Sequence, residues 1–359
     1  MQIDQLWLTD FRTYASLDLE LAPGLTCIVG SNGIGKTNVI EALSYLATLE
    51  SFRGADHASM VRIGAPRAYV RGQGVGLQRD LLVEIEMQQR GRGRVQVNRQ
   101  RLARSTDLLE QLRVTVFGPD DLEMVKGSPS ARRTFLDVSM VAVSPRLDGL
   151  RRDLAKVLKQ RNALLRQAKG RLSPELELTL DVWNERLAAL GETLGSVRTQ
   201  LIRDAEPYVQ ESYERLAGNA KAVELVYDPE WMQTGLHEAL AAVRDDELRR
   251  GTSLVGPHRD DLGVVLGGLP SRTHASQGEQ RSLALALRLG VHLLVADRIG
   301  TAPILLLDDV FSELDTNRST ALFSALPPGQ AVLTSAIDLP DGATPDKLYR
   351  AKPGELVLD

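Results

Sequence analysis

The sequence predicts an α/β protein whose central sheet is assembled from both ends of the chain and interrupted by a compact helical arm. Three observations carry that reading. An apolar run near the N-terminus ends in the glycine-rich loop GSNGIGKT. A second apolar run near the C-terminus, ILLL, ends in two acids. Between them, from Ser128 to about residue 250, the pattern is mostly helical. Strand and helix alternation that stops and later resumes is what an insertion into one sheet leaves in a sequence.

Along the chain, residues 2–9 and 15–29 alternate or run apolar in strand fashion, and helical periodicity runs from Thr37 to Leu49. The glycine loop therefore lies between a strand and a helix. Residues 68–98 read as short antiparallel strands with glycine-rich turns, and RVTVFG at 113–118 reads as one more. At Ser128 the character changes, because Ser128 can cap a helix and Pro129 suits its first position. The helical stretch is too short and too irregular in its heptads for an extended coiled coil, and it shows no internal repeat. Alternation returns from Leu262, with VVL, a helix after SQGEQ, ILLLDD at 304–309, a helix from about 316 and AVLTSA at 331–336.

At 359 residues, with 43% hydrophobic and 25% charged content, the chain can bury two cores. No apolar run approaches the roughly eighteen residues of a membrane span, and the start MQIDQLWLTD lacks a basic region followed by an apolar one. A cytoplasmic protein with no membrane partner is expected. Cys27 is the single cysteine, which excludes an internal disulfide and a thiolate metal cluster; its place in LTCIV suggests a small core residue. A net charge of −4 argues against a nucleic-acid partner, but the arginines bunch locally.

Gly30, Ser31, Asn32, Gly33, Ile34, Gly35, Lys36 and Thr37 fit G-x-x-x-x-G-K-[ST] in full. In that pattern the glycines let backbone N–H groups curl around phosphates, the lysine adds a point charge, and the threonine offers a hydroxyl to Mg²⁺. The partner strand ends in Asp308 and Asp309. The first carboxylate can hold Mg²⁺ through water and the second can orient or deprotonate the attacking water. Together these predict a nucleotide triphosphatase with Lys36, Asp308 and Asp309 as catalytic residues and Thr37 and Asp308 at the metal. The chain has no Asn-Lys-x-Asp guanine tetrad, which favours ATP. Ser276, Gln277 and Gly278 precede a helix, and a helix start of that kind is a ready anion site.

The order of these parts resembles the ABC-type ATPases, and implies an ABC-type P-loop ATPase head divided into 1–127, carrying the phosphate loop, and 251–359, carrying the signature and acid strand, with the arm at 128–250. The resemblance further implies that Ser276, Gln277, Gly278, Glu279 and Gln280 form a signature that reaches the γ-phosphate held by a second copy. ATP then joins an ATP-dependent homodimer, with Ser312, Glu313, Leu314 and Asp315 as the D-loop. Within that superfamily, DFRTY at 10–14, SFR at 51–53, FGPDDLEMVKGSPSARRTFLD at 117–137, KQRNALLR at 159–166 and GPHRDDL at 256–262 resemble the RecF family of bacterial recombination and gap-repair proteins. That likeness adds Asn38 and Arg12 to the nucleotide-binding residues. It implies binding to double-stranded and gapped DNA, and RecR and RecO as partners that help RecA replace single-strand-binding protein at gaps. The chain departs from the family at Thr13, where Asn is usual, and at Gln277, where Arg or Lys is common.

Asp309 stands where many ABC relatives have Glu, and the shorter reach predicts slow hydrolysis, with ATP timing assembly more than driving work. Transporter and SMC-type relatives carry a Gln near Pro119 and Asp120 and a His near Thr334 and Ser335, which RecF-like proteins lack. Basic candidates for DNA are Arg90, Arg92, Arg94, Arg99 and Arg101 on a predicted hairpin, Arg132 and Arg133 in a helix first turn, and Arg151, Arg152, Lys156, Lys159 and Arg161 along one helix. Of these, Arg92, Arg94, Arg132, Arg133, Arg151 and Arg152 are singled out. A Gly-Pro turn before a charged strand start accounts for His258, Arg259, Asp260 and Asp261 better than a metal site does. A transporter-type ABC subunit and an SMC-like structural clamp are the alternatives; the length of the insertion argues against both.

Overall fold

The computed structural model describes every residue except Gln78, Arg92, Leu314, Asp315 and Asp341, and describes Ser105, Glu313 and Thr316 by their backbone alone. The chain forms two compact units, one from residues 1–122, 208–220 and 276–359, the other from 123–207 and 221–275.

The first unit begins with β1 (Gln2–Phe11) and β2 (Tyr14–Glu20), followed by β3 (Leu25–Val29) and α1 (Lys36–Thr48). The expected strand at 15–29 is thus two, parted at Pro23 and Gly24, because proline offers no ladder donor. After α2 (His57–Met60) come β4 (Arg67–Val75), β5 (Asp80–Gln88), β6 (Arg94–Val97), β7 (Gln100–Arg101), α3 (Ser105–Leu109) and β8 (Val114–Phe117). The antiparallel sheet has the order β2-β1-β4-β5-β6-β7. In β4, buried and exposed residues alternate strictly, so one face of this sheet is core and the other is wet. Asn98 and Arg99 turn β6 into β7 with φ of 49° and 64°, the left-handed pair that a two-residue hairpin needs.

The second unit holds α4 (Glu123–Lys126), α5 (Pro129–Val143), α6 (Asp148–Ala168) and α7 (Pro174–Ala217) up to Pro207. Ser128 does occupy the cap position of α5 with Pro129 first in the helix, although its side chain makes no cap bond. Then follow β9 (Val223–Val226), α8 (Trp231–Thr234), α9 (Leu236–Ala242), α10 (Arg244–Arg250), β10 (Gly263–Leu266), β11 (Leu269–Pro270) and α11 (Ser271–His274). The arm is therefore not all helix. β9, which the helical reading passed over, pairs with β10, and this pairing draws residues 251–275 into the second unit although the sequence reading had assigned them to the ATPase half. A four-residue strand whose partner lies about forty residues on leaves little local periodicity to read.

The first unit resumes with α12 (Gln277–Ile299), β12 (Ile304–Leu307), α13 (Thr316–Ala325), β13 (Ala331–Ser335), β14 (Lys347–Lys352) and β15 (Glu355–Leu358). Its second sheet has the order β15-β14-β3-β13-β12-β8, parallel throughout except for β15. Strands from both chain ends thus alternate in one sheet. Helix α1 packs against both sheets and is buried on nearly all sides. Its residue Leu46 fits against β4 because Gly72 has no side chain there; a Cβ would lie 2.5 Å from a Leu46 methyl. In the parallel register Ser335 lies beside Val29 and Leu307 beside Phe117, so β3, β13, β12 and β8 end along one edge. In α/β sheets ligands bind outside that carboxyl edge.

Candidate active site

The loop from Gly30 to Gly35 leaves the end of β3 and opens directly into α1. Gly33 and Gly35 have φ of 78° and 116°, which only glycine adopts without strain. Gly35 has a second reason: a Cβ there would lie 2.7 Å from Thr13 Oγ1. The loop is braced from behind, since Tyr14 Oη donates to Gly35 O at 3.2 Å and Asn38 Nδ2 donates to Thr13 Oγ1 at 2.9 Å. Ile34 packs toward the core, while Lys36 Nζ donates to Gly30 O at 2.7 Å and Ser31 O at 2.9 Å. The ammonium thus bridges the loop whose amides would cradle a phosphate.

Asp308 and Asp309 meet this loop across the sheet edge. Thr37 Oγ1 donates to Asp308 Oδ1 at 2.9 Å, and Asp308 N–H donates to Phe117 O at 2.8 Å. Burial pushes the Asp308 carboxyl above its ordinary value, against the hydroxyls of Thr334 and Thr37, which favour the charged form. Burial also lowers Lys36, opposed by the charges of Asp309 and Asp308. Thr13, Asn32, Gly33, Gly35, Lys36, Thr37, Asn38, Arg53 and Asp309 line one cavity of about 320 Å³. Arg53, Tyr14 and Thr334 were not among the expected site residues. Arg53 lies in the SFR stretch after α1, and Thr334 is a polar residue next to the end of an apolar strand; these are the signals the sequence offers.

Arg12 sits apart from that cavity's lining. Its Nε and Nη2 each donate to the buried Glu41 carboxylate at 2.7 Å, and Nη1 donates to Ser59 O at 2.8 Å. The guanidinium is thus held within the protein by Glu41 and Ser59.

The signature residues occupy the first turn of α12 and do not line the phosphate cavity. Ser276 caps the helix in a capping box: its Oγ accepts from Glu279 N, while its N–H and hydroxyl donate to Glu279 Oε2 at 2.8 and 2.9 Å. Gln280 N–H closes the first helical bond to Ser276 O, and Gln277 is exposed. Gly278 lies under Arg318 of α13, where a Cβ would fall 2.5 Å from Nη1. Of the expected D-loop, Ser312 Oγ donates to Asp309 O at 2.9 Å and Glu313 ends a short 3₁₀ turn. Leu314 and Asp315 lie outside the described residues.

The DNA candidates divide. Arg92 lies outside the described residues, and Arg94 is exposed on β6. Arg151 and Arg152 are partly exposed and pair with Asp148. Arg132 is a correction: it is buried, bidentate on Asp261 at 2.7 and 2.9 Å, and donates to Gly127 O. Its acidic partner is thus Asp261, within the protein. Arg133 donates to Asp260 O at 2.7 Å. Arg161 is buried on Glu247 and held by Asn184 and Ser253, so it leaves the basic helix face. The GPHRDDL stretch serves the same internal network. Asp260 accepts from Trp231 Nε1 at 2.8 Å and from Tyr227 Oη at 2.5 Å, and burial pushes His258 down to about 4. Among the described residues there is no cluster of three or more metal-ligating side chains, and no helix is long and apolar enough to cross a membrane.

The sequence matches the family described as RecF/RecN/SMC N terminal domain over residues 2–331. It is 43% identical over 353 residues to the DNA replication and repair protein RecF of Streptomyces avermitilis, covering 94% of each chain. It is 41% identical over 354 residues to the protein of that name from Acidothermus cellulolyticus, covering 95% of each. A solved structure of the recombination mediator protein RecF-ATP in the RecFOR pathway matches with a TM-score of 0.89 at 26% identity, over 99% of this chain and 97% of that one. The two interleaved chain ends, the phosphate loop and the acid-tipped strand define an ABC-type ATPase head of the RecF/RecN/SMC class. Within that class the chain belongs to the RecF family of DNA replication and repair proteins.

Proposed function

We propose that this protein is an ATP-dependent DNA-binding ATPase of recombinational repair in which ATP acts as a dimerisation switch. The observation that carries the reading is the convergence of Lys36, Thr37, Asp308 and Asp309 at one sheet edge, with Lys36, Thr37 and Asp309 lining a single cavity. Nucleotide phosphates sit on the loop amides and on the start of α1, where the helix dipole favours negative charge. Thr37 Oγ1 and Asp308 Oδ1 are hard oxygen donors already 2.9 Å apart, which fits Mg²⁺ held by few protein ligands together with phosphates. When bound, Mg²⁺ supplies charge neutralisation on the phosphates. Asp309 orients the attacking water, and its short side chain keeps turnover slow.

The signature turn of a second copy completes the pocket: Ser276 and the N–H groups at the start of α12 meet the γ-phosphate held by the first. A chain of net charge −4 holds DNA weakly as a monomer, and a closed pair doubles the phosphate contacts. The substrate is duplex DNA near single-strand gaps, read through its backbone without sequence preference. The candidate basic groups described as at least partly exposed for it are Arg90, Arg94, Arg99, Arg101, Arg133, Arg151, Arg152, Lys156 and Lys159. RecR and RecO act with the protein in loading recombinase.

Size measurement with ATP, ADP and no nucleotide tests the switch. ATP alone should double the mass, and neither Lys36→Met nor Ser276→Arg should respond. Mixing those two variants should restore a pair with one intact pocket. A chain that stays single at saturating ATP on gapped duplex ends this reading.

A further inference from the structure

The end of β13 touches the start of the phosphate loop and both acids. Ser335 O accepts from Gly30 N at 3.1 Å, and Gly30 O in turn accepts from the Lys36 ammonium at 2.7 Å. One residue earlier, Thr334 is fully buried. A threonine hydroxyl has one proton to give and lone pairs to receive. Here the proton goes to Asp308 Oδ1 at 2.7 Å, and a lone pair takes the N–H of Asp309 at 3.0 Å. One residue later, Ala336 N–H donates to Asp309 Oδ1 at 3.0 Å. Asp309 itself has φ of 49°, a left-handed backbone that costs a residue with a Cβ some strain and that Asp tolerates better than most. The bonds from Thr334 and Ala336 hold it there.

We propose that Thr334 is a positioning residue for ATP hydrolysis, fixing the aim of the Asp309 carboxylate by holding its left-handed backbone while the same hydroxyl orients Asp308. This rests on the ATPase reading above. Since its proton is committed to Asp308, Thr334 does not present a donor to the phosphate; it acts through the two acids. Valine has the same shape but neither donates nor accepts, so it leaves the Asp309 N–H without its acceptor and Asp308 with only Thr37 as a hydroxyl donor. Serine keeps both bonds.

The test compares wild type, Thr334→Val and Thr334→Ser in three measurements: equilibrium binding of a fluorescent ATP analogue, kcat and KM for ATP, and hydrogen exchange of the amides of residues 308–312. Thr334→Val should lower kcat by about tenfold or more, with affinity and KM within about threefold, and should speed exchange in that segment by about tenfold. Thr334→Ser should stay within about threefold of wild type in all three. The proposal is overturned if Thr334→Val keeps its kcat, if affinity falls in step with kcat, or if Thr334→Ser is as impaired as valine. Should the valine variant fail to fold, Thr334→Cys, similar in volume and a weak donor, is held to the same criteria. A wild-type chain that neither binds nor hydrolyses ATP overturns the ATPase reading instead, and the exchange rates then still decide whether Thr334 holds Asp309.

Discussion

The phosphate loop of residues 30–37 is held from outside itself, whereas the first turn of α12 holds itself. Behind the loop stand Thr13 and Tyr14, in front of it the half-buried Thr37–Asp308 bond, and beside it the end of β13. These partners come from elements far apart in the chain. At α12 the polar groups of Ser276 are satisfied by Glu279, three residues on, and the turn is exposed. The first arrangement forms only when the whole unit has folded. The second already has a carboxylate at the helix start, so an incoming phosphate must compete with Glu279 for the same donors.

Removing chemistry from the braced side should show the largest effect. Asp309→Asn is expected to lower single-turnover phosphate release by about 10²–10⁴-fold, the usual reach of a lost general base, while ATP affinity holds. If release is unchanged, the water is positioned elsewhere. Lys36→Met comes next: loss of a charged donor should weaken ATP binding by about 30–1000-fold in equilibrium titration, equivalent to about 2–4 kcal/mol.

Ser276→Arg should leave single-chain ATP affinity within about threefold, yet weaken ATP-dependent pairing at least tenfold, by putting a bulky side chain where a phosphate must approach. Equal damage to both would erase the distinction between cradle and clamp. The smallest effect belongs to Glu279→Ala. Loss of half the capping box should lower stability by about 0.5–1 kcal/mol in denaturant melts. With its competitor gone, ATP-induced pairing should strengthen a few-fold; weaker pairing would show that Glu279 serves the clamp and does not oppose it.

What could be read in the sequence was what is local. Gly30 to Thr37 and Asp308 to Asp309 are contiguous motifs following apolar strands, and Ser128 and Ser276 announce their helices by cap chemistry that spans a few residues. What could not be read depends on partners distant in sequence. Arg132 reads in the sequence as a basic DNA candidate in a helix first turn, and the acid that engages it, Asp261, lies 129 residues away. Arg161 looked like one more charge on a solvated helix face, yet Glu247 and Ser253 bury it. β9 is a strand because β10 exists, not because its four residues insist on it. Thr334 carries no signal beyond its polarity, since its contacts come from the register that sets the end of β13 against two acids.

Cys27 lies in β3 with its sulfur inside the core, and burial pushes its thiol up to about 12. Because the thiolate is the reactive species, reagents at neutral pH should pass it by. A cysteine introduced at the exposed Gln277 then becomes the one labelling point on an otherwise native chain. Two dyes placed there on separate copies could follow the approach of α12 in real time, without first engineering the protein to be silent.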